Sequence, residues 1–203
     1  MNLRYPLLKL FDCLFPPNDE NLCVREIAEK DMMRLYTPHY INSIQALSLY
    51  QNRKVRALIH EAKFNHNTRA WKLLNVLIRL HFSYIKEPID FIIPIPLSKK
   101  RMRTRGYNQV YEILTAYHTP DSIPIENSIL IRSRHTKPQT ELARTARLTN
   151  MLDAFQCTNS EHVYGKHILL IDDVTTTGAT LNAAKAALLP HSPASITCIA
   201  IAH

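Results

Sequence analysis

The chain has 203 residues, a formal net charge of +8, 46% hydrophobic and 21% charged residues, which is the composition of an ordinary globular protein. Its length suits one full domain with a small appendage. No apolar run reaches the roughly 18 residues that a membrane span needs. Charged residues interrupt the apolar N-terminus, and no small-residue cleavage site follows it. We therefore expect neither a transmembrane segment nor a signal peptide, and we expect a cytoplasmic location.

The basic charge is unevenly distributed along the chain. Residues 1–40 contain five Lys or Arg and six Asp or Glu, whereas residues 41–203 contain twenty and eleven, a local excess of +9. Such an excess favours phosphate-rich partners. It fits a polyanionic small molecule as well as a nucleic acid, and by itself it does not choose between them.

After residue 45, the apolar patterns predict an alternation of strands and helices. Residues 18–45 are mixed and polar, and we predict no regular element there. The predicted strands are Ala46–Tyr50, Ile89–Ile95, one within Ile123–Ile131, His167–Ile171 and Ile196–Ile201, and the predicted helices are Lys54–Lys63, Thr68–Ile85, Tyr107–Tyr117, Gln139–Leu152 and Ala179–Leu189. This alternation predicts an α/β fold with an open, mainly parallel sheet. We assign residues 46–203 to the main domain and residues 1–45 to an appendage or hood.

The strongest signal is the segment Ile168–Thr180, with the sequence ILLIDDVTTTGAT. A buried strand ends in two adjacent carboxylates, Asp172 and Asp173, and a hydroxyl-rich loop with one glycine then leads into a helix. Ligands of open α/β sheets bind beyond the carboxyl ends of the strands, and a helix N-terminus binds anions. The segment therefore predicts a phosphate cradle beside carboxylates that suit sugar hydroxyls and a hard cation. The plainer alternative is an N-cap acid followed by solvated threonines.

This segment resembles the phosphoribosyl pyrophosphate (PRPP) motif of type I phosphoribosyltransferases, in which two acids precede a T-T-G-x-T loop. The resemblance implies that PRPP binds here, as ligand or substrate, together with Mg²⁺. By this resemblance, Asp172 and Asp173 contact the ribose hydroxyls and take part in any catalysis. They also hold the Mg²⁺ ion, in part through groups that lie between the carboxylates and the ion. The loop residues that the resemblance assigns to the 5′-phosphate are Thr175, Thr176, Thr177, Gly178, Ala179 and Thr180.

Three further motifs resemble the ComF family of competence proteins. They are the helix VRALIHEAKF at 55–64, the segment IPIPLSKKRMRTRGYNQ at 93–109, and TKPQTEL at 136–142 with Arg147, Asn150 and Phe155. The resemblance covers about residues 46–203. It implies a role in DNA uptake during natural transformation, with single-stranded DNA and other competence proteins as partners at the inner membrane.

ComF-like proteins often begin with a cysteine-rich zinc ribbon, and this chain departs from that pattern. Only Cys13 and Cys23 lie at the front, and no C-x-x-C pair occurs among the four cysteines. Two cysteines are too few for a tetrahedral site, even with His39 as a third ligand. We therefore predict a degenerate or absent ribbon, no stoichiometric zinc, and cysteines that are free thiols.

Five cations occur within seven residues directly after the strand that ends near residue 95. Arginine offers a forked pair of donors to phosphate oxygens, which suits pyrophosphate. From the motif match we predict pyrophosphate contacts from Arg101, Arg105, Asn108 and Gln109, and we leave Lys99, Lys100 and Arg103 to DNA. A solvated basic loop is the alternative.

A second basic stretch contains Gln139, Arg144 and Arg147. By the resemblance it corresponds to a mobile loop that closes over PRPP and excludes water. The outer face of a helix is an equal alternative for the two arginines.

Three functions follow from these patterns. The first is a PRPP- and Mg²⁺-binding ComF-type protein of DNA uptake that binds single-stranded DNA. The alternative is an active phosphoribosyltransferase of nucleotide salvage or biosynthesis, acting on an unidentified nucleobase. A transcription or RNA regulator ranks last, because the sequence has no helix-turn-helix or RNA-binding motif. The sequence leaves the acceptor and the occurrence of catalysis open.

Overall fold

The computed structural model describes residues 18–117, 122–132 and 154–203. In chain order its elements are α1 (Asp19–Glu26), α2 (Met32–Leu35), β1 (His39–Ile41), β2 (Ile44–Ser48), α3 (Arg53–Phe64), α4 (Thr68–Phe82), β3 (Phe91–Pro94), α5 (Lys99–Arg105), α6 (Gln109–Thr115), β4 (Leu130–Arg132), β5 (Phe155–Cys157), α7 (Ser160–Val163), β6 (His167–Val174), α8 (Ala179–Leu188) and β7 (Ser195–Ala202). Short 3₁₀ turns lie at Glu29–Asp31 and Leu189–His191. Within these ranges, no helix is both long and apolar enough to cross a membrane.

The central sheet has five strands in the order β1-β2-β7-β6-β3. The four strands β2, β7, β6 and β3 run parallel, and β1 pairs antiparallel with β2 at one edge. The predicted open, mainly parallel sheet is therefore confirmed. Strand β6 lies between β7 and β3, so its carboxyl end opens at the middle of the edge where α/β sheets bind ligands.

Helices cover the sheet on both faces, which explains the apolar runs of its strands. In β6, Leu169 and Ile171 pack in the core that contains α3, α4 and α6. Ile168 and Leu170 point to the other side, where they pack in the core that contains α8. Successive side chains of a strand alternate between faces, so a strand buried on both sides needs apolar residues at every position.

The strand predicted within Ile123–Ile131 does not join the central sheet as a full strand. Only an isolated bridge links Ile125 to Ile92 of β3. Pro124 accepts a hydrogen bond from the backbone N–H of Ile92 but has no N–H of its own, so the ladder does not extend. Strand β4 instead forms a separate antiparallel ribbon with β5.

Capping residues set the starts of three helices. Asn52, Asn67 and Asn108 each accept a backbone N–H at the start of α3, α4 and α6, and the predicted helix Tyr107–Tyr117 began two residues too early. The segment for which a solvated basic loop was the alternative is the helix α5. Ser98 caps its start, and Gly106 ends it in the left-handed conformation.

Residues 18–45, for which we predicted no regular element, contain the helices α1 and α2, the short strand β1 and the first two residues of β2. Val24 and Ile27, which are fully buried, lie in the same core as α3 and α4. The predicted boundary between residues 45 and 46 falls inside β2. The division into appendage and main domain stays a prediction.

Gly178, at the start of α8, has a φ of +80°, and a Cβ added there would collide with Cδ1 of the buried Ile44. We expect Gly178→Ala to lower the free energy of unfolding by about 1–2 kcal/mol through backbone strain, and further through the collision. Each 1 kcal/mol corresponds to about 2–4 °C in Tm for a domain of this size, so thermal unfolding measures it.

Gly165→Ala is the matched control, because Gly165 has a φ of +69° with nothing within 4 Å of the added Cβ. Gly178→Ala should cost more than Gly165→Ala, and the difference should shrink in an Ile44→Val background, which lacks Cδ1. Equal losses for the two glycines would show that the Ile44 contact has no effect.

Candidate functional site

The predicted acid pair lies at the carboxyl end of β6 and lines a cavity of about 780 Å³. Asp173 is buried, with 6% of its surface exposed, and Asp172 is half-buried. Four further residues that the sequence assigned to the site, on three other elements, line the same cavity: Arg101, Arg105, Gln109 and Thr180. The structure therefore brings these predicted residues together.

Both carboxylate oxygens of Asp173 have partners. The Nζ of Lys63 lies 3.0 Å from Oδ1. The side-chain amide of Gln109 donates to Oδ2, and Arg105 in turn donates to Oε1 of Gln109. Three residues from three helices thus form a connected polar chain that ends on one buried acid.

Asp172 is in a different electrostatic state from its neighbour. Its Oδ1 accepts the backbone N–H of Asp173 at 2.9 Å. Burial and the adjacent Asp173 charge raise the pKa of Asp172 to about 7, against a smaller lowering by Lys63 and Arg132. The ionised form of Asp172 is therefore less stable than that of an exposed aspartate, and a nearby cation would stabilise it.

The loop after β6 is held by its own hydroxyl groups. The hydroxyl of Thr175 accepts the backbone N–H of Gly178 at 3.1 Å, and that of Thr177 accepts the N–H of Ala179 at 3.4 Å. Thr175 is buried, whereas Thr176 and Thr177 are exposed. The loop leads into the ten-residue helix α8, and the backbone N–H groups at the start of a helix can donate hydrogen bonds to a phosphate.

Helical geometry divides the cations of α5 between two sides. Lys100, Arg101 and Arg105 line the cavity with the acid pair. Lys99 lines an adjoining cleft, and Arg103 is exposed and lines neither. The assignment of Lys99, Lys100 and Arg103 to DNA stays a prediction, but Lys100 lies on the same side as the two arginines assigned to pyrophosphate.

The side-chain amide of Asn108, like that of Gln109, is already engaged in hydrogen bonds within the protein. It donates to the carbonyl of Ile95 at 2.9 Å and accepts the N–H of Val110 at 3.0 Å. These bonds join the start of α6 to the end of β3. Asn108 lines the adjoining cleft, and its assignment stays a prediction.

Sequence reasoning missed three residues of this site. Lys63 and Phe64, the last two residues of α3, line the cavity, and the guanidinium of Arg105 lies 5.3 Å from the Phe64 ring centroid. Arg132 lines it from the end of β4, where burial and the nearby Arg101 lower its pKa. The Lys-Phe pair that closes the ComF-like helix was the available signal for the first two.

A cleft of about 420 Å³ adjoins the cavity across α5. Pro96, Leu97, Tyr107 and Arg132 line both spaces. The other cleft residues are four apolar or aromatic side chains, one glycine, two amides, one lysine and one acid: Lys99, Met102, Gly106, Asn108, Tyr111, Glu112, Asn127, Leu130 and Ile131. This cleft offers room for a second, less charged group.

Some predicted residues cannot be compared with the structure. Gln139, Arg144 and Arg147 lie outside the described residues, as does Cys13. Cys23 lies on α1 and is half-buried, and the ring Nε2 of His39 lies 3.5 Å from Nδ1 of His203. The expected lack of zinc stays a prediction.

The donor set of the acid pair fits a hard divalent cation. Asp172 and Asp173 offer adjacent carboxylate oxygens, which are the ligands that Mg²⁺ takes. A cation there would offset the burial and the repulsion by Asp173 that together raise the pKa of Asp172. Elsewhere in the described ranges, Glu20, His60 and Glu61 place donor atoms within 4.8 Å of one another, but asparagine amides already occupy both carboxylate oxygens of Glu61.

Parts of the chain are similar to known proteins. The family described as phosphoribosyl transferase domain matches residues 113–203, which include the acid pair and the loop after it. Competence protein F of Haemophilus influenzae is 38% identical over 94 residues, which are 46% of this chain and 41% of that protein. Competence protein ComFC of Bacillus subtilis is 36% identical over 104 residues, 51% of this chain and 40% of that protein.

A third similarity covers more of the chain. The DNA utilization protein YhgH of Escherichia coli O157:H7 is 28% identical over 144 residues, covering 68% of this chain and 63% of that protein. The chain therefore matches between two fifths and two thirds of each relative's own length.

The raised pKa of Asp172 predicts a gain in stability when its charge is removed. The ordinary pKa is 3.8 and the folded-state pKa is about 7, so the folded state loses stability as the pH rises through this window. Asp172→Asn keeps the acceptor for the N–H of Asp173 but removes the charge. At a pH above 7 it should therefore raise Tm, by about 2–4 °C for each 1 kcal/mol gained in the free energy of unfolding. The gain should vanish near pH 4.

Asp90→Asn is a control of opposite sign. Asp90 accepts the backbone N–H of His167 at 2.7 Å, and this bond lowers its pKa. Its replacement should therefore lower Tm at neutral pH. A series of thermal melts from pH 4 to pH 8 measures both variants. A Tm of Asp172→Asn below that of the wild type at pH 8 would contradict the raised pKa of Asp172.

Proposed function

We propose that this chain, which belongs to the ComF-like type I phosphoribosyltransferase family, binds PRPP together with Mg²⁺ at the carboxyl end of β6. One observation carries the proposal: the acid pair, Thr180 in the first turn of α8 and a set of arginines line one cavity of about 780 Å³. A ligand with one phosphate, a diol and a diphosphate needs these three kinds of group side by side.

Each group has a matching part of the ligand. The N–H groups at the start of α8 and the hydroxyls of its loop suit the 5′-phosphate. Asp172 and Asp173 suit the ribose hydroxyls and the cation. Arg101 and Arg105 suit the diphosphate, because guanidinium groups bind phosphate oxygens in pairs. The positive charge of α5 also draws the polyanionic ligand toward the cavity.

We further propose that the protein acts in DNA uptake, on the cytoplasmic side and peripheral at the inner membrane. The support is the similarity to competence proteins F and ComFC and to a DNA utilization protein. The exposed cations Lys99 and Arg103 on the outer part of α5 are the surface that we assign to single-stranded DNA. Bases of single-stranded DNA stack on exposed aromatic side chains, and Tyr84 is exposed, whereas Trp71 and Tyr107 are buried.

The second candidate is an active transferase that places ribose 5-phosphate on a nucleobase. The adjoining cleft of about 420 Å³ favours it, because a flat, weakly charged acceptor would fit there next to the PRPP site. Positioning and charge stabilisation supply most of the rate in such a reaction, and the acid pair and arginines offer both. A screen for pyrophosphate release from PRPP over a panel of nucleobases tests this candidate.

The first test of the proposed function is calorimetric titration with PRPP. The wild type should bind PRPP in the presence of Mg²⁺, and Asp172→Asn with Asp173→Asn should remove measurable binding, because ribose and cation lose their carboxylates. Arg103→Ala is the matched control on the exposed side of α5 and should leave the affinity unchanged. Unchanged affinity in the double acid variant would refute the assignment of this site.

The second test separates DNA from PRPP. Single-stranded DNA should bind without sequence preference, and its affinity should fall steeply with salt. Lys99→Ala with Arg103→Ala should lower the salt slope by about 1.4, at about 0.7 per lost phosphate contact. The same pair should leave PRPP binding intact, whereas Arg101→Ala with Arg105→Ala should weaken PRPP binding more than DNA binding. Fluorescence anisotropy at several salt concentrations measures the slope, and a wild type without DNA affinity at low salt would favour the transferase.

A further inference from the structure

The last turn of α3 forms a wall of the cavity that neither the motifs nor the proposed function assigns. Lys63 lies there with its Nζ 3.0 Å from Oδ1 of Asp173, and only 20% of its side chain is exposed. Phe64 follows it and is 61% exposed. A lysine in this position lies within reach of any ligand that binds the acid pair.

The two residues before Lys63 are held in place by hydrogen bonds from five side chains. Glu61 is fully buried and accepts from the amides of Asn21, Asn65 and Asn67. The carbonyl of Ala62 accepts from two buried side chains, Nε1 of Trp71 at 3.2 Å and the hydroxyl of Tyr107 at 2.9 Å. The start of the Lys63 side chain is therefore fixed, while its four-carbon stem leaves the ammonium free to change partners.

The present partner of Lys63 is an atom that the ligand needs. Lys63 and Gln109 together occupy both oxygens of Asp173. A divalent cation that takes oxygen ligands from this carboxylate has to compete with the ammonium of Lys63, because two cations on one oxygen repel each other. The ammonium supplies the charge compensation that the buried acid requires before the ligand arrives.

We propose that Lys63 is an exchangeable counter-ion of the site: it neutralises Asp173 in the empty protein, yields that oxygen to the divalent cation, and then binds a phosphate oxygen of the ligand. The inference rests on the proposed function, since it assumes that the cavity takes a metal-bound phosphate ester. It makes Lys63 both a competitor of the cation and a ligand-binding residue.

This double role predicts opposite effects of one substitution. In Lys63→Met the competitor is absent, so Mn²⁺ alone, followed by electron paramagnetic resonance, should bind at least about threefold more tightly than in the wild type. PRPP in the presence of saturating Mg²⁺, followed by calorimetry, should bind about 10- to 100-fold more weakly, because one charge-assisted hydrogen bond to phosphate is lost. Lys54→Met, an exposed lysine at the start of the same helix, should change neither affinity.

Other outcomes overturn the inference. If Lys63→Met weakens both affinities together, or leaves PRPP affinity unchanged, Lys63 is only a structural partner of Asp173. If Lys63→Met does not fold, Lys63→Gln takes its place, because its neutral amide can donate to Asp173. We then expect the same tighter binding of Mn²⁺ and weaker binding of PRPP, each by a smaller factor. A wild type that binds neither Mn²⁺ nor PRPP refutes the proposed function itself, whereas a wild type that binds both beside an unchanged variant refutes only the role of Lys63.

Discussion

Two carboxylates placed side by side at the end of a buried strand repel each other, and the rest of the site is arranged around that repulsion. Asp173 is stabilised by an ammonium and an amide, and the amide is held in turn by Arg105. Asp172 keeps a backbone N–H and a raised pKa. The arrangement is stable without a ligand, yet it leaves a deficit of positive charge that a bound cation can fill.

Glu61 shows how the same chain treats an acid that stays in place. Burial raises the pKa of Glu61, but hydrogen bonds from Asn67, Asn21 and Asn65 outweigh burial and leave the pKa below its usual range. Every oxygen of Glu61 has a neutral donor that no ligand displaces. Glu61, whose oxygens accept from amides, belongs to the scaffold, whereas Asp173, which is paired with an exchangeable ammonium, belongs to the site. Ionisable groups with perturbed pKa values concentrate where ligands bind.

The fold and the centre of the site could be predicted because each has a local pattern in the sequence. The apolar run 168–171 indicates a strand that is covered on both faces, and the acids directly after it mark its carboxyl end. The confirmed parallel sheet follows from such runs. The elements of residues 18–45 escaped prediction because their helices are short and stabilised by packing on α3 and α4, which no local pattern records.

Site residues outside the strand and its loop reach the cavity from elements that are distant in sequence, so their role depends on long-range packing. The motif match assigned Arg101, Arg105 and Gln109, whereas no assigned motif role pointed to Lys63, Phe64 and Arg132. A strand was predicted within Ile123–Ile131, and its separation from the central sheet could not be predicted because the apolar pattern does not record the missing N–H of Pro124. Asn108 caps α6, and its assignment to a ligand, which came from the motif match, stays a prediction.

The hydrogen bond between Trp71 and the carbonyl of Ala62 has an optical consequence. Trp71 is the single tryptophan of the chain, it is 7% exposed, and its indole donates to the residue directly before Lys63. The ring of His66, another residue of the cavity wall, lies 5.1 Å away from it, centroid to centroid. The tryptophan fluorescence of the protein therefore originates close to the wall of the cavity and reports on its surroundings without any label.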